Sequence, residues 1–178
     1  MADRETEFVA KLSAGVGGLN AAAWDRLTGG DPFVSHAFLS ALEKSESVGK
    51  GTGWTPAAIL VEDGADRLVA AAPAYLKGHS QGEYVFDHAW ADAFERAGGS
   101  YYPKLQIAVP FTPVPGPRLL GSKPQQLLAA AEAITLQNDI SSAHITFIDD
   151  AGLAETERRG WLTRHRIQYH WTNRGYGD

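Results

Sequence analysis

Apolar and polar positions alternate along this chain with two different periods. Over residues 6–13, TEFVAKLS, Phe8, Ala10 and Leu12 interleave with Glu7, Val9 and Lys11, a period of two that predicts a strand. Past Gly15, Gly17 and Gly18, Asn20 stands where it caps a helix over AAAWDRLT that Gly29 and Gly30 would stop. Ser35 stands where it caps HAFLSALEKSES, with Val34 and Leu39 at the two staple positions around it. The runs 56–62, PAAILVE, and 67–76, RLVAAAPAYL, are joined through Asp63-Gly64 and predict an antiparallel hairpin. In DHAWADAFERAGG, Asp87 is the cap and Trp90, Ala93, Phe94 and Ala97 fall on one helical stripe, which Gly98 and Gly99 end. YPKLQIAV follows as a strand and PQQLLAAAEAITLQND as a helix with Pro124 in its first turn. AHITFI is a strand, DAGLAETERRG a helix capped by Asp149 or Asp150, and WLTRHRIQYHW a long alternating strand.

Mixed connections of this kind predict an α/β fold with helices on both faces of the sheet. At 178 residues with 44% hydrophobic positions, the expectation is a single domain, 1–178, with its own core, and no repeat or low-complexity tract divides it. A net charge of -5 provides no clustered basic footprint, so no DNA partner is expected. The absence of cysteine excludes thiol catalysis and thiolate zinc sites and fits a reducing compartment. Charges occupy MADRETEFVAKL where a signal peptide needs an apolar core, and no run approaches the roughly 20 apolar residues of a membrane span. A soluble, cytoplasmic protein is expected.

The segment VPFTPVPGPRLLGSK, 109–123, mixes glycines and basic residues with four prolines. Pro110, Pro113, Pro115 and Pro117 each remove a backbone N–H, which ill suits a phosphate cradle and well suits a stiff extended surface. On that reading Phe111, Thr112 and Arg118 are its recognition groups, with Tyr102 and Lys104 on the preceding strand. Arg118 and Lys104 would then hold an acidic or phosphorylated acceptor through charge-assisted hydrogen bonds. The alternative is a stiffened crossover in which Arg118 pairs with a neighbouring carboxylate.

His88, Asp92 and Glu95 share one helix face and have the chemistry of metal ligands or of an acid–base pair. The competing assignment is a solvated polar face opposite Trp90 and Phe94, and no metal is expected. His36, next to a cap, fits a local hydrogen bond, and Ser35-His36 lacks a nucleophile-elbow context. Tyr84, Phe86, Trp90, Tyr101 and Tyr102 either pack the core or wall a groove. The substrate-binding candidates are therefore Asp87, His88, Trp90, Tyr102, Lys104, Phe111, Thr112 and Arg118, and no residue is assigned as catalytic.

The element order is similar to that of the GNAT, or acyl-CoA N-acyltransferase, superfamily. The wording is more specific: DPFVSHAFLSALEKSESVG, YVFDHAWADAFERAGGSYYPKLQIAVPFTPVPGPRLL and the closing YHWTNRGYGD resemble the bacterial FemAB-like family tied to peptidoglycan biosynthesis or recognition. The resemblance covers nearly the whole chain. It implies a GNAT-like mixed, largely antiparallel sheet and the N-terminal half of a two-domain protein whose C-terminal GNAT-like domain is its partner. It further implies a parent N-acyltransferase or aminoacyltransferase acting on an amine of a peptidoglycan precursor. This half would contribute recognition of a small-molecule or peptide acceptor and be inactive alone. The donor, acyl-CoA or aminoacyl-tRNA, would belong to the full-length protein, with no cofactor in this chain. In acetyltransferases of this fold a Gln/Arg-x-x-Gly-x-Gly/Ala turn binds the donor pyrophosphate, and the proline segment stands at that address. Two other roles stand beside this one: a non-catalytic binding module for a peptide or cell-wall-like ligand, and a structural half packing on a catalytic domain.

Overall fold

The computed structural model describes residues 7–85 and 87–175, so Phe86 lies outside the described residues. Strand β1 (Val9–Ser13) is followed by helix α1 (Ala21–Asp25), a 3-10 turn (Pro32–Val34) and α2 (His36–Lys44). Both helices start on the expected caps: Asn20 Oδ1 accepts from Ala23 N–H at 2.9 Å, and Ser35 Oγ accepts from Phe38 N–H at 3.2 Å. Val34 and Leu39 are both fully buried. Strands β2 (Trp54–Pro56), β3 (Ala58–Glu62), β4 (Leu68–Ala72) and β5 (Ala74–Lys77) follow, then α3 (His88–Arg96), β6 (Lys104–Ile107), β7 (Leu120–Gly121), α4 (Pro124–Gln137), β8 (Ala143–Ile145) and α5 (Asp150–Arg158). Asp149 rather than Asp150 caps α5, accepting from Gly152 N–H at 2.9 Å.

The fold is mixed α/β and GNAT-like, with two mostly antiparallel sheets. One has the order β1-β3-β4-β7 and the other β2-β5-β6-β8, in which only β6 and β8 run parallel. The predicted hairpin is present as β3–β4, its turn held by Asp63, whose carboxylate accepts from the N–H of Ala65 and Arg67 and from the Arg67 guanidinium. Each predicted strand of that hairpin nevertheless divides between the two sheets, at Ala57 and at Pro73. Proline has no N–H for the ladder, so the run must change partners there. A hydrogen bond from Ala57 N–H to the Ala74 carbonyl, 2.8 Å, keeps the two sheets continuous at the crossing.

Helices cover both faces of the first sheet, which explains why β3 and β4 are apolar without alternation. Ile59, Val61, Ala70 and Ala72 pack with Leu127, Ala130 and Ala131 of α4. Ala58, Leu60 and Ala71 face Trp24, Val34 and Leu39 instead. Full burial of each large aliphatic side chain contributes roughly 1.5–3 kcal/mol.

Three expectations change. The α3 stripe faces outward: Trp90 and Phe94 are 65% and 49% exposed, and only Ala91 turns inward. Part of the proline segment is strand, since β7 pairs with β4. WLTRHRIQYHW is no strand: Trp161 packs against the α4 core and donates to Glu132, but Leu162, Ile167 and Tyr169 are exposed and residues 162–175 have no regular structure. Alternation defines two faces, but a strand forms only against a partner edge, and no described strand supplies one.

Candidate functional site

The second sheet is two-faced, and its side-chain phase builds the site. Ala74 and Leu76 of β5, Leu105 and Ile107 of β6, and Ala143 and Ile145 of β8 face the α4 core. Their alternating neighbours Tyr75, Lys77, Lys104, Gln106 and His144 therefore occupy the opposite face, with Trp54 paired to Lys77 across β2–β5. That face is polar yet shut away from solvent: Lys77 and Gln106 are 0% exposed and Lys104 is 1% exposed. Buried charge requires paired charge, and the segment between β5 and α3 supplies it through Glu83 and Asp87, both buried.

Lys104 is the hub. Its ammonium donates to Ser80 Oγ at 2.9 Å, Glu83 Oε2 at 2.8 Å and Asp87 Oδ2 at 2.7 Å, which uses all three of its donors. Tyr101 donates its hydroxyl to the same Asp87 oxygen at 2.9 Å, and Tyr102 shares a 2.7 Å hydrogen bond with Ser80. Lys77 donates to the Gln81 carbonyl at 3.1 Å, lies 3.5 Å from the centre of the Trp54 ring, and is 3.9 Å from Glu83 Oε1. Among the described residues, Glu83 Oε1, Asp87 Oδ1 and Gln106 Oε1 are buried on this face without a hydrogen-bond donor, Glu83 Oε1 having only the 3.9 Å ion-pair contact with Lys77.

Electrostatics divide the cluster. Burial pulls the Lys77 ammonium down to about 8, against the attraction of Glu83. Burial pushes the Glu83 carboxyl up, with the hydrogen bond and charge of Lys104 opposing it. Burial also pushes Asp87 upward, but hydrogen bonds from Lys104, Ser80 and Tyr101 outweigh it and hold that carboxyl at about 2. His144 is lowered to about 4 by burial and by the Lys104 charge, so it is neutral near pH 7.

Of the candidates read from sequence, the structure joins Asp87, Lys104 and, through Ser80, Tyr102. Phe111 stands at the margin, its ring 5.6 Å from Trp54 and its N–H bonded to the Gly82 carbonyl. Gly82 has φ +77°, and a Cβ there would lie 2.6 Å from the Phe111 ring. Thr112 donates its hydroxyl to the Pro110 carbonyl. Arg118 is buried, and its guanidinium donates to the carbonyls of Thr146, Pro117 and Val114. Burial lowers it to about 10, against the charges of Asp31 and Asp149. Its donors tie the proline segment to the chain after β8. His88 and Trp90 are exposed on α3, and no metal-holding group of His, Asp and Glu occurs among the described residues.

Lys77, Glu83, Ser80 and Gln106 escaped the sequence reading. The available signal was strand phase: Lys77 alternates with Leu76, and Lys104 and Gln106 alternate with Leu105 and Ile107. Glu83 carries no such signal, because only the fold of the intervening segment brings it to Lys104.

The proline segment offers few free amides. Beyond the four prolines, the N–H groups of Phe111, Thr112 and Gly116 donate to the carbonyls of Gly82, Val109 and Phe147. These residues do not fit the pyrophosphate of an acyl-CoA, which needs a run of unbonded N–H groups.

No helix among the described residues is long and apolar enough to cross a membrane. No curated protein and no solved structure matches the chain. A family model described as FemAB-like, peptidoglycan biosynthesis/recognition, matches residues 15–178, and by that match over nearly its whole length the chain belongs to the FemAB-like family.

Proposed function

We propose that this chain recognises the amine-bearing acceptor of an N-acyl or aminoacyl transfer within its family's peptidoglycan-related role, using the buried polar face of the second sheet. The observation that carries this reading is the donor–acceptor balance of the face. Lys104 has all three donors engaged and each guanidinium nitrogen of Arg118 donates to a carbonyl, whereas Glu83, Asp87 and Gln106 each keep a buried acceptor oxygen with no hydrogen-bond donor among the described residues. Unpaired buried acceptors cost free energy until something donates to them. A primary ammonium donates up to three hydrogen bonds and suits two carboxylates, whereas an anion meets them unfavourably. The ligand class shifts accordingly, from an anionic acceptor gripped by Arg118 and Lys104 to an amine.

An acceptor amine must be neutral to attack a carbonyl, so the site needs a group that takes its proton. Lys77 and Glu83 are both pushed towards their neutral forms and stand 3.9 Å apart. Lys77, lowered to about 8 by burial, is thereby a group on this face able to take a proton near neutral pH. Donor binding belongs outside this segment, in the C-terminal domain of the same protein, because four prolines and the bonded amides of Phe111, Thr112 and Gly116 leave the proline segment no run of free N–H groups. The exposed apolar residues Leu162, Ile167 and Tyr169 favour that partner domain as well.

Isothermal titration with a lysine-containing stem peptide, free or acetylated on its ε-amine, tests the reading. Saturable binding of the free amine alone is expected. Equal behaviour of the two peptides would refute it.

A further inference from the structure

The polar face that would receive the amine is shut: Lys77, Lys104 and Gln106 are buried to within 1% of full enclosure. Residues 78–85, between β5 and α3, help to close it and belong to no helix or strand. Their hold on the face is a short set of polar bonds. The Gln81 carbonyl accepts from Lys77 Nζ and from the Trp54 indole N–H, each at 3.1 Å. Ser80 Oγ and Glu83 Oε2 accept from Lys104. The Gly82 carbonyl accepts from Phe111 N–H at 3.2 Å, and the Phe111 ring packs so close that a Cβ on Gly82 would lie 2.6 Å from it. The closed arrangement carries costs at these same contacts. Tyr84 within the segment and Phe111 against it have φ of +55° and +59°, a left-handed conformation that large side chains rarely adopt. Glu83 Oε1 is buried without a hydrogen-bond donor among the described residues.

We infer that residues 78–85 form a strap, latched at Gly82 by Phe111, that lifts to admit the amine and closes over it, an inference that rests on the acceptor-site reading above. A segment without ladder bonds, held by a few polar contacts and carrying strain, belongs to the low-stability end of a structure. The two sides of the latch differ in stiffness. Phe111 belongs to the proline segment, whose prolines fix the backbone and whose Arg118 donates to the carbonyls of Val114, Pro117 and Thr146. The strap is therefore the side that moves. Lifting it returns Glu83 to water and frees Phe111 from the contact that holds it in the left-handed region. An ammonium in the shut site supplies the donor that Glu83 Oε1 lacks, so the ligand favours the closed form. Glycine at 82, with φ +77°, is what leaves room for the ring of the latch.

The test is hydrogen exchange of two indole N–H groups in the full chain, followed by NMR. Trp54 is 1% exposed and its indole N–H is bonded to the strap, so that proton reaches water when the strap lifts. Trp24 is 0% exposed and donates to the Val34 carbonyl at 2.8 Å, away from the strap, which makes it a control of the same chemistry. Trp54 is expected to exchange about a hundredfold or more faster than Trp24, at a rate that low urea leaves unchanged. Phe111→Ala should speed Trp54 by about tenfold or more and leave Trp24 within about threefold. Equal exchange of the two indoles in the wild type, rising together with urea, would mean that the face opens only on global unfolding and overturns the inference without any variant. A folded Phe111→Ala in which Trp54 exchanges as in the wild type overturns it as well. The lysine-containing stem peptide at saturation should slow Trp54 exchange by about tenfold or more. Fast, latch-dependent exchange in a chain that calorimetry shows not to bind the peptide would sink the acceptor reading and leave the strap standing.

Discussion

Replacing Lys104 by methionine removes the hub of the buried cluster while keeping most of its volume. The substitution deletes hydrogen bonds of 2.9, 2.8 and 2.7 Å to Ser80, Glu83 and Asp87 and leaves two buried carboxylates without their main cation. Breaking a buried ion pair from one side costs about 3–5 kcal/mol. Lys77, 3.9 Å from Glu83, recovers part of this for one carboxylate only, so the cost should stay within that interval. For a chain of this length each kcal/mol moves Tm by about 2–4 °C, so a fall of roughly 6–20 °C is expected. The pH dependence is more diagnostic than the size. In the wild type Asp87 is held at about 2 against an ordinary 3.8, so its stabilising contribution is present above 3.8 and lost as pH falls towards 2. In Lys104→Met the same carboxylates are buried without the cation, their folded-state pKa values rise, and the folded state gains by taking up protons. The stability gap between wild type and variant should therefore narrow as pH falls from 7 to 4. Urea unfolding at a series of pH values measures it. A gap under about 1 kcal/mol at pH 7, or one that stays constant down to pH 4, would refute the reasoning.

Lys77 provides a prediction at the alkaline end. Its ammonium is lowered to about 8 from the usual 10.5, so its burial costs stability below about 8 and that cost is relieved as pH rises towards 10.5. Wild-type stability should therefore rise relative to Lys77→Met across that window, and parallel curves in urea melts would contradict the assignment. Arg118→Ala should lower stability by at least about 2 kcal/mol, because it empties the space of a buried guanidinium and leaves the carbonyls of Thr146 and Val114 without a charged donor, as chemical denaturation would show. Gly82→Ala should cost about 1–3 kcal/mol by the same assay, since φ is +77° and the added methyl meets the Phe111 ring.

What local chemistry decides was legible in the sequence. Asn20, Ser35 and Asp149 cap their helices through their own side chains, and Asp63 organises the hairpin turn, because each needs only neighbours a few residues away. The division of the hairpin strands between two sheets was signalled by Pro73 but required knowing which partners stood on either side. For α3, periodicity placed Trp90 and Phe94 on one stripe correctly and could not say whether the core lay beneath it. The alternation of 161–171 gave two faces to a segment for which no described strand offers an edge. Of the residues that meet in the buried cluster, Asp87, Tyr102 and Lys104 were singled out in the sequence by residue type and position. Glu83 was not, because its pairing with Lys104 spans 21 residues and exists only once the segment after β5 folds over the sheet.

On the proposed function, the polar face of the second sheet receives an amine at Glu83 Oε1 and Asp87 Oδ1, which have no hydrogen-bond donor among the described residues. Calorimetric titration of the lysine-containing stem peptide into wild type and Glu83→Gln tests it most directly, with circular dichroism confirming that the variant is folded. Saturable binding to the wild type, weakened about tenfold or more by Glu83→Gln and by acetylation of the peptide amine, is the predicted result. Binding that is indifferent to both changes, or absent from the folded wild-type chain, would contradict it.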